Sequence, residues 1–140
     1  MDLPKSLSLE VVTPDRAIVK ETVDEVVLPG SEGSFGVLPG HAPLLATLQV
    51  GEMWYRKGQE RHYLAIAFGF VEVLPDRVTV LAQIAEKAED IDTTRAEAAK
   101  TRAEQRITSR QTDLDFERAR IALMKSLVRL QVVSRTRIRA

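Results

Sequence analysis

The sequence predicts a β-sandwich domain followed by two helices packed as an antiparallel hairpin, and three observations carry that reading. Every glycine (30, 33, 36, 40, 51, 58, 69) and every proline (4, 14, 29, 39, 43, 75) lies in the first 75 of 140 residues. Both residue types punctuate turns, so the first half is turn-rich and the second has no breaker. The apolar rhythm changes near Ala88 from a period of two to one of three or four. Charge divides at the same place: residues 1–85 hold 7 basic and 11 acidic groups and residues 86–140 hold 13 and 9, so −4 stands against +4 in a chain of zero net charge.

The elements follow in order. Leu7, Leu9 and Val11 alternate with Ser6, Ser8 and Glu10, the period of a half-buried strand, and Thr13-Pro14-Asp15 closes it. Short apolar runs then recur at Ala17–Val19, Val23–Leu28, Phe35–Leu38, Leu44–Leu48, Met53–Tyr55, Tyr63–Phe68, Phe70–Leu74 and Val78–Leu81. Pro29-Gly30, Pro39-Gly40, Lys57-Gly58 and Pro75-Asp76 separate them as turns. Many short strands with frequent turns make a sandwich or a flattened barrel, expected over residues 1–87.

Residues 88–140 form the expected helical arm. Ala96, Ala99, Ala103 and Ile107 mark one apolar stripe, and Phe116, Ala119, Leu123, Leu127 and Leu130 mark a second. Asp92 is the expected N-cap of a helix reaching Ile107, with Thr93 and Thr94 opening it. The polar stretch Thr108 to Asp113 is the turn, centred near residue 111, before a helix from Asp113 to Val133. The inner stripe of the first helix is alanine and that of the second is larger. An alanine contributes little where a buried leucine contributes roughly 1.5–3 kcal/mol, so the hairpin is only modestly stable. With its turn straightened, an arm of about 45 residues at ~1.5 Å each would reach about 70 Å. A lone chain is expected to keep the compact form.

Composition removes several function classes. A hydrophobic content of 44% is that of a folded chain, and no apolar run approaches the roughly 18 residues of a membrane span. The opening MDLPKSLSLEVV has one lysine and alternating apolar residues, unlike a secretory signal, so a soluble protein on the cytoplasmic side is expected. The absence of cysteine excludes disulfides, zinc thiolates and cysteine catalysis. Gly30-Ser31-Glu32-Gly33-Ser34-Phe35-Gly36 is glycine-rich, but no Lys-Ser or Lys-Thr pair follows, so it reads as a turn needing positive φ rather than a phosphate loop. His41 and His62 lie in different segments, which argues against a metal site, and His62 reads as a strand-face residue. No serine lies in a nucleophile elbow, so catalysis by the chain alone has no support.

The arm carries a basic constellation. After Glu117 there is no acid, while Arg118, Arg120, Lys125, Arg129, Arg135, Arg137 and Arg139 follow, a tail that seeks an anionic partner. In a hairpin turning near residue 111, Arg95 stands opposite residues 127 and 128, with Lys125 and Arg129 flanking that point and Arg118 on the same face. Arg95, Lys125 and Arg129 would then converge. Such charges oppose the fold unless neutralised, by Asp92 and Glu86 or by a bound polyanion such as a nucleotide phosphate; a solvated basic face with local ion pairs is the plainer alternative.

The stretch Gly30-Ser31-Glu32-Gly33-Ser34-Phe35-Gly36-Val37-Leu38-Pro39-Gly40-His41-Ala42-Pro43-Leu44-Leu45 resembles the signature of the F-type ATP synthase epsilon subunit, bacterial type. Gly69, Phe70–Val73 and Val78–Ala82 are also similar to it, and the order of β domain and two helices covers essentially the whole chain. The resemblance implies a ten-stranded sandwich at the foot of the central stalk, against the gamma subunit and the c-ring, with an arm that folds down on the sandwich or extends along gamma. It implies a non-catalytic rotor subunit that helps couple proton flow to ATP synthesis and restrains ATP hydrolysis when the arm is extended. Glu32, Ser34 and His41 would face the c-ring and gamma; Ser34 stands where other members often carry an acid. Arg118, Arg120, Lys125 and Arg129 of the arm would meet acidic surfaces of the alpha and beta subunits. The implied location is peripheral, on the cytoplasmic side of the cell inner (plasma) membrane, held there only through the complex.

Some bacterial members bind ATP through a motif reading Ile-Asp-x-x-Arg-Ala, and Ile91-Asp92-Thr93-Thr94-Arg95-Ala96 matches it throughout. The resemblance thus implies a regulatory ATP site of Glu86, Ile91, Asp92, Arg95, Ala96, Lys125 and Arg129, with Lys125 in an arginine position, and no required cofactor or metal. Two rivals stand beside it. A nucleic-acid-binding module would use the basic arm, but the β domain is acidic and no basic, aromatic platform is legible, so no nucleic acid is expected as a partner. A stand-alone nucleotide-binding hydrolase would need a phosphate loop or paired metal-binding carboxylates, and neither is legible.

Overall fold

The computed structural model describes residues 3–109 and 112–138. Eight strands occur among them: β1 (Leu7–Val12), β2 (Ala17–Val23), β3 (Glu25–Gly30), β4 (Gly33–Val37), β5 (Leu44–Leu48), β6 (Gly51–Lys57), β7 (Glu60–Leu74) and β8 (Arg77–Lys87). A single 3-10 turn at Ala88–Asp90 leads to helices α1 (Thr93–Thr108) and α2 (Asp113–Ile138). Hydrogen bonding runs β2-β1-β8-β7-β5-β3-β4, and β6 pairs with both β3 and β7. The pairing of β1 with β8 is parallel, and the neighbouring ladders are antiparallel.

The sheet closes over one core because its longest strands turn a corner. Before the corner Leu64 and Ile66 of β7 point inward, and after it Val71 and Val73 do, so the inward set shifts from even to odd numbers. Phe68 and Gly69 sit at the change with φ of 61° and 147°, outside the extended region, and they reset the pleat. On the facing edge, β6 pairs with the first half of β7 and β5 with the second, leaving Gln49 and Val50 between them. The result is a sandwich whose two faces share β7 and β8. Leu7, Leu9 and Val11, read as the inward set of β1, are fully buried in that core.

This corner joins two of the expected strands into one. Ten strands were implied, whereas eight are found among the described residues; the runs Tyr63–Phe68 and Phe70–Leu74, read as separate, are two halves of β7. The opposite correction applies to Val23–Leu28, where Val23 closes β2 and Glu25 opens β3. Asp24 makes the break: its N–H donates to the Arg56 carbonyl at 2.8 Å and its carboxylate accepts from the Gly58 N–H at 2.7 Å. The glycine-rich stretch is the β3–β4 hairpin, with φ of 128° at Gly33. His62 lies on β7, its ring stacked on Tyr55 at 4.9 Å between centroids. Burial pushes the Tyr55 phenol up to about 12, with Glu21 and Glu89 adding to the shift, so it stays neutral at physiological pH.

The helices meet through small residues. Ala96 and Ala103 of α1 and Ala119 and Ser126 of α2 are buried, each pair seven residues apart. Ala103 with Ala119 and Ala96 with Ser126 are centred on the same residue, 111, and so stand opposite one another across an antiparallel hairpin. Of the stripe expected on the second helix, Ala119 is buried and Leu123 and Leu130 are half-buried, whereas Phe116 and Leu127 are exposed and fall outside it. Close approach over alanine leaves no room for a large side chain at the seam, and Leu127 lies one position off it. The seven-residue spacing of 119, 126 and 133 was present in the sequence but hidden beneath the louder leucines. Arg110 and Gln111, at the centre of the expected turn, lie outside the described residues, as do Met1, Asp2 and Arg139. The second helix also continues beyond Val133 to Ile138, since nothing in that stretch breaks a helix.

The hairpin is folded down on the sandwich. Val132 and Val133 of α2, with Val128 beside them, pack on Tyr63 and Ala65 of β7 and on Ala88 and Ile91 of the connection. The unalternating run Leu64-Ala65-Ile66-Ala67 follows from this burial on two faces. Leu64 and Ile66 fill the sandwich, and Ala65 is small enough for a helix to lie across it.

Candidate functional site

The end of β8, the 3-10 turn and the first three turns of α1 make one wall of a cleft, and Arg129 of α2 closes the other side. Its volume is about 430 Å³, and Glu86, Asp90, Ile91, Asp92, Arg95, Ala96, Ala99, Arg102 and Arg129 line it. Asp92 opens α1 as read from the sequence, its carboxylate accepting the Arg95 N–H at 3.0 Å. That cap fixes the helical phase that aims Arg95 and, seven residues on, Arg102 along the cleft. Ala96 and Ala99 keep the space between them clear, and Ile91, 9% exposed, supplies an apolar floor.

The cleft holds carboxylates and guanidiniums in equal number. Glu86 and Arg129 form an ion pair at 2.6 Å across the junction of sandwich and arm, with side chains 32% and 26% exposed. Arg95 and Arg102 are exposed, and no carboxylate among the described residues forms an ion pair with either. Two guanidiniums with unspent donors beside an apolar floor can take an anion joined to a flat apolar group. Removing the cap is expected to loosen this wall: Asp92→Ala should cost about 1 kcal/mol of helix stability. Faster hydrogen exchange at the Arg95 and Ala96 amides is the measurement, and unchanged protection there would refute the capping role.

The cleft gathers Glu86, Ile91, Asp92, Arg95, Ala96 and Arg129, and Lys125 lines the adjoining hollow, which it shares with Glu86 and Arg129. In the cleft itself the expected Arg95 and Arg129 are joined by Arg102. Lys125 lies on the sandwich side of Arg129, with its ammonium 5.9 Å from the centre of the Phe68 ring. Asp90, Ala99 and Arg102 were missed by the sequence reading. The signal for Arg102 was available, since 95, 99 and 102 follow helical spacing on one face.

Two of the remaining arm cations, Arg120 and Arg135, meet groups of this same chain. Arg120 pairs with Glu117 at 2.7 Å within α2 and reaches the Met124 sulfur at 3.2 Å. Arg135 donates to both Glu52 oxygens, at 2.9 and 3.2 Å, and lies 5.9 Å from the Tyr63 ring centre. That carboxylate holds the Arg135 guanidinium above its ordinary value. Arg118 is exposed. The plain alternative of local ion pairs thus describes Arg120 and Arg135, while Arg95 and Arg102 keep free donors.

Glu32 and Ser34 lie outside this cleft, at the β3–β4 turn. Both border an open hollow of about 620 Å³ between the β3–β4 turn and Leu44–Thr47. Leu45 there is 73% exposed. His41 is not among the residues of that hollow; its Nδ1 donates to the Ala42 carbonyl at 2.6 Å in the segment before β5. The three residues expected to share one interface therefore fall into a pair and a separate neighbour. No group of His, Asp and Glu among the described residues could hold a metal ion.

A family model described as ATP synthase, Delta/Epsilon chain, beta-sandwich domain matches residues 6–88, and one described as ATP synthase, Delta/Epsilon chain, long alpha-helix domain matches residues 89–134. The chain is 48% identical over 134 residues to the ATP synthase epsilon chain of Syntrophobacter fumaroxidans, covering 96% of this chain and 100% of that one. It is 50% identical over 133 residues to the ATP synthase epsilon chain of Herpetosiphon aurantiacus, covering 95% and 98%. Its fold is shared with a chain of the Euglena gracilis mitochondrial ATP synthase, with a TM-score of 0.82 at 24% identity over 94% of this chain and 82% of that one.

Proposed function

This chain belongs to the ATP synthase delta/epsilon family as an epsilon chain, and from that premise we propose that it is a rotor subunit whose folded arm senses ATP and whose extended arm restrains ATP hydrolysis. It is a non-catalytic subunit of the ATP synthase. Its partners in this reading are the gamma subunit, the c-ring, and the alpha and beta subunits, with proton flow as the process it helps couple. No helix among the described residues is long and apolar enough to cross a membrane. The proposed placement is peripheral, on the cytoplasmic face.

One observation carries the ATP reading: the cleft is built from both helices and the end of β8, so it exists only while the hairpin is closed against the sandwich. A ligand that binds only the closed form stabilises it by RT ln(1 + [L]/Kd), about 2.7 kcal/mol at a hundredfold excess over Kd. That is enough to shift a balanced arm by about two orders of magnitude. In this reading Arg95 and Arg102 hold the phosphates, Ile91 and Ala96 face the base, and Arg129 is shared between the ligand and Glu86. Inhibition is the complementary state: with ATP scarce the hairpin opens, and Arg118, Arg120, Lys125 and Arg129 become available to acidic surfaces of the catalytic head.

Isothermal titration of the purified chain with ATP and then ADP, with and without magnesium, tests the site. Saturable binding that prefers ATP is expected, together with its loss in Arg95→Ala/Arg129→Ala. The same heat in parent and double variant would sink the assignment. No binding at millimolar ATP would leave a stalk subunit whose arm answers to its protein partners alone.

A further inference from the structure

Three cations on the sandwich-facing side of α2 each meet an acceptor on the sandwich. Lys125 lies over Phe68, Arg129 pairs with Glu86, and Arg135 pairs with Glu52 beside Tyr63. The apolar contact they border is thin, because two of its five buried members, Ala65 and Ala88, are alanines. At roughly 25 cal/mol per Å² such side chains supply little of the docking energy. Arg129 also belongs to the cleft, so a ligand there competes for it. Arg135 does not line the cleft, and at ~1.5 Å per residue it lies about 9 Å further along α2.

The geometry of this last pair differs from an ordinary surface contact. Arg135 approaches Glu52 through two nitrogens to two oxygens, at 2.9 and 3.2 Å. The Glu52 side chain is only 16% exposed, while Arg135 is 41% exposed. Tyr63 covers the guanidinium from the neighbouring strand. Glu52 and Ala65 are cross-strand partners, so the ion pair borders the patch on which Val132 and Val133 rest. Lifting the arm returns both charges to water, which makes the net gain modest and sensitive to salt.

We propose that Arg135, Glu52 and Tyr63 form an electrostatic clasp that holds the helical arm on the sandwich without any ligand and makes its release respond to ionic strength and to competing anionic surfaces. The clasp sets the resting balance of the arm, and it is independent of whether the cleft takes ATP. The absence of cysteine from the chain supplies a direct probe. Ala65 is buried beneath the arm, so the single thiol of Ala65→Cys reacts with a thiol reagent only when the arm lifts. Ala82 is buried within the sandwich core, and Ala82→Cys reports unfolding of that domain instead.

In the full chain without nucleotide, Arg135→Gln or Glu52→Gln should speed labelling at residue 65 about three- to tenfold, with labelling at residue 82 unchanged. The charge-swapped pair Glu52→Arg/Arg135→Glu should bring the rate back towards the parent. Raising salt from 0.05 to 1 M should speed labelling in the parent and have a smaller effect in Arg135→Gln, whose clasp is already absent. Arg120→Gln, which removes an ion pair internal to α2, should change nothing. Parental rates in both single variants would overturn the clasp. So would fast labelling that the swapped pair does not slow, because Arg135 would then act through packing and not through charge.

Discussion

Replacing Gly69 by valine should cost the sandwich about 4 kcal/mol or more, a large part of the 5–15 kcal/mol that holds a typical domain. A Cβ at this position would lie 2.1 Å from the Leu81 carbonyl oxygen and 2.8 Å from the Ala82 Cα. Both are backbone atoms of the paired strand, so no side-chain rotation relieves the overlap. The φ of 147° adds strain that a β-branched residue tolerates worst. Relief requires separating β7 from β8 at the point where both turn the corner, which would open the core around Val71, Val73, Val80 and Ala82. Gly58→Ala is the matched comparison: its φ is 62° with nothing within 4 Å, so only about 1 kcal/mol of backbone preference is at stake. Urea unfolding followed by circular dichroism measures both. A Gly69→Val protein within 1 kcal/mol of the parent would show that the corner does not depend on this residue.

Ser126→Leu should open the arm and leave the sandwich standing. Ser126 is 1% exposed and stands opposite Ala96, its hydroxyl donating to the Ala122 carbonyl at 3.0 Å. A leucine there has no space unless the helices move apart, and overpacking of this kind costs about 1–3 kcal/mol. A hairpin with an alanine seam has little to set against that loss. Limited trypsin digestion reads the result, because the arm is rich in arginine and cleavage tracks the open fraction when closing is fast. Cleavage should quicken about tenfold, equivalent to about 1.4 kcal/mol, while the denaturation midpoint of the β domain is nearly unchanged. Since the cleft takes residues from both helices, the proposed ATP binding should weaken with the seam. Parental digestion rates would mean that the hairpin is held by its contact with the sandwich and not by its seam.

The legible parts of this chain were those with local causes. Leu7, Leu9 and Val11 alternate because one face of β1 meets the core and the other does not. Asp92 was recognisable as a cap because a short acidic side chain before an uninterrupted polar–apolar period has few other uses, and it accepts the Arg95 N–H as such. The break at Asp24 was not legible, because the bonds that make it come from Arg56 and Gly58, more than 30 residues away. Ala96, Ala103 and Ala119 of the seam were legible, and Ser126 was missed for a different reason. Leu127 carries the stronger apolar signal, yet the positions that meet are those whose side chains are small enough to let two backbones approach. Within the site, Arg102 had a readable spacing from Arg95, whereas the position of Lys125 depended on how α2 is rotated against β7.

Residues alone settled that a turn-rich β domain precedes a long breaker-free arm, that charge is divided between the two, that cysteine chemistry is absent, and that the family signature and the Ile91-to-Ala96 motif are present. Each of these depends on residue type and near neighbours, where backbone preference and periodicity operate. The three-dimensional fold decided that β7 is one strand bent at Phe68 and Gly69, that the hairpin lies against the sandwich, that Arg129 pairs with Glu86 while Lys125 lies over Phe68, and that Arg135 reaches Glu52. Those outcomes arise between residues 43 and 83 positions apart in the ion pairs. Their geometry comes from how whole elements pack, and a one-residue rotation of α2 would redistribute every one of its cations without changing a letter of the sequence.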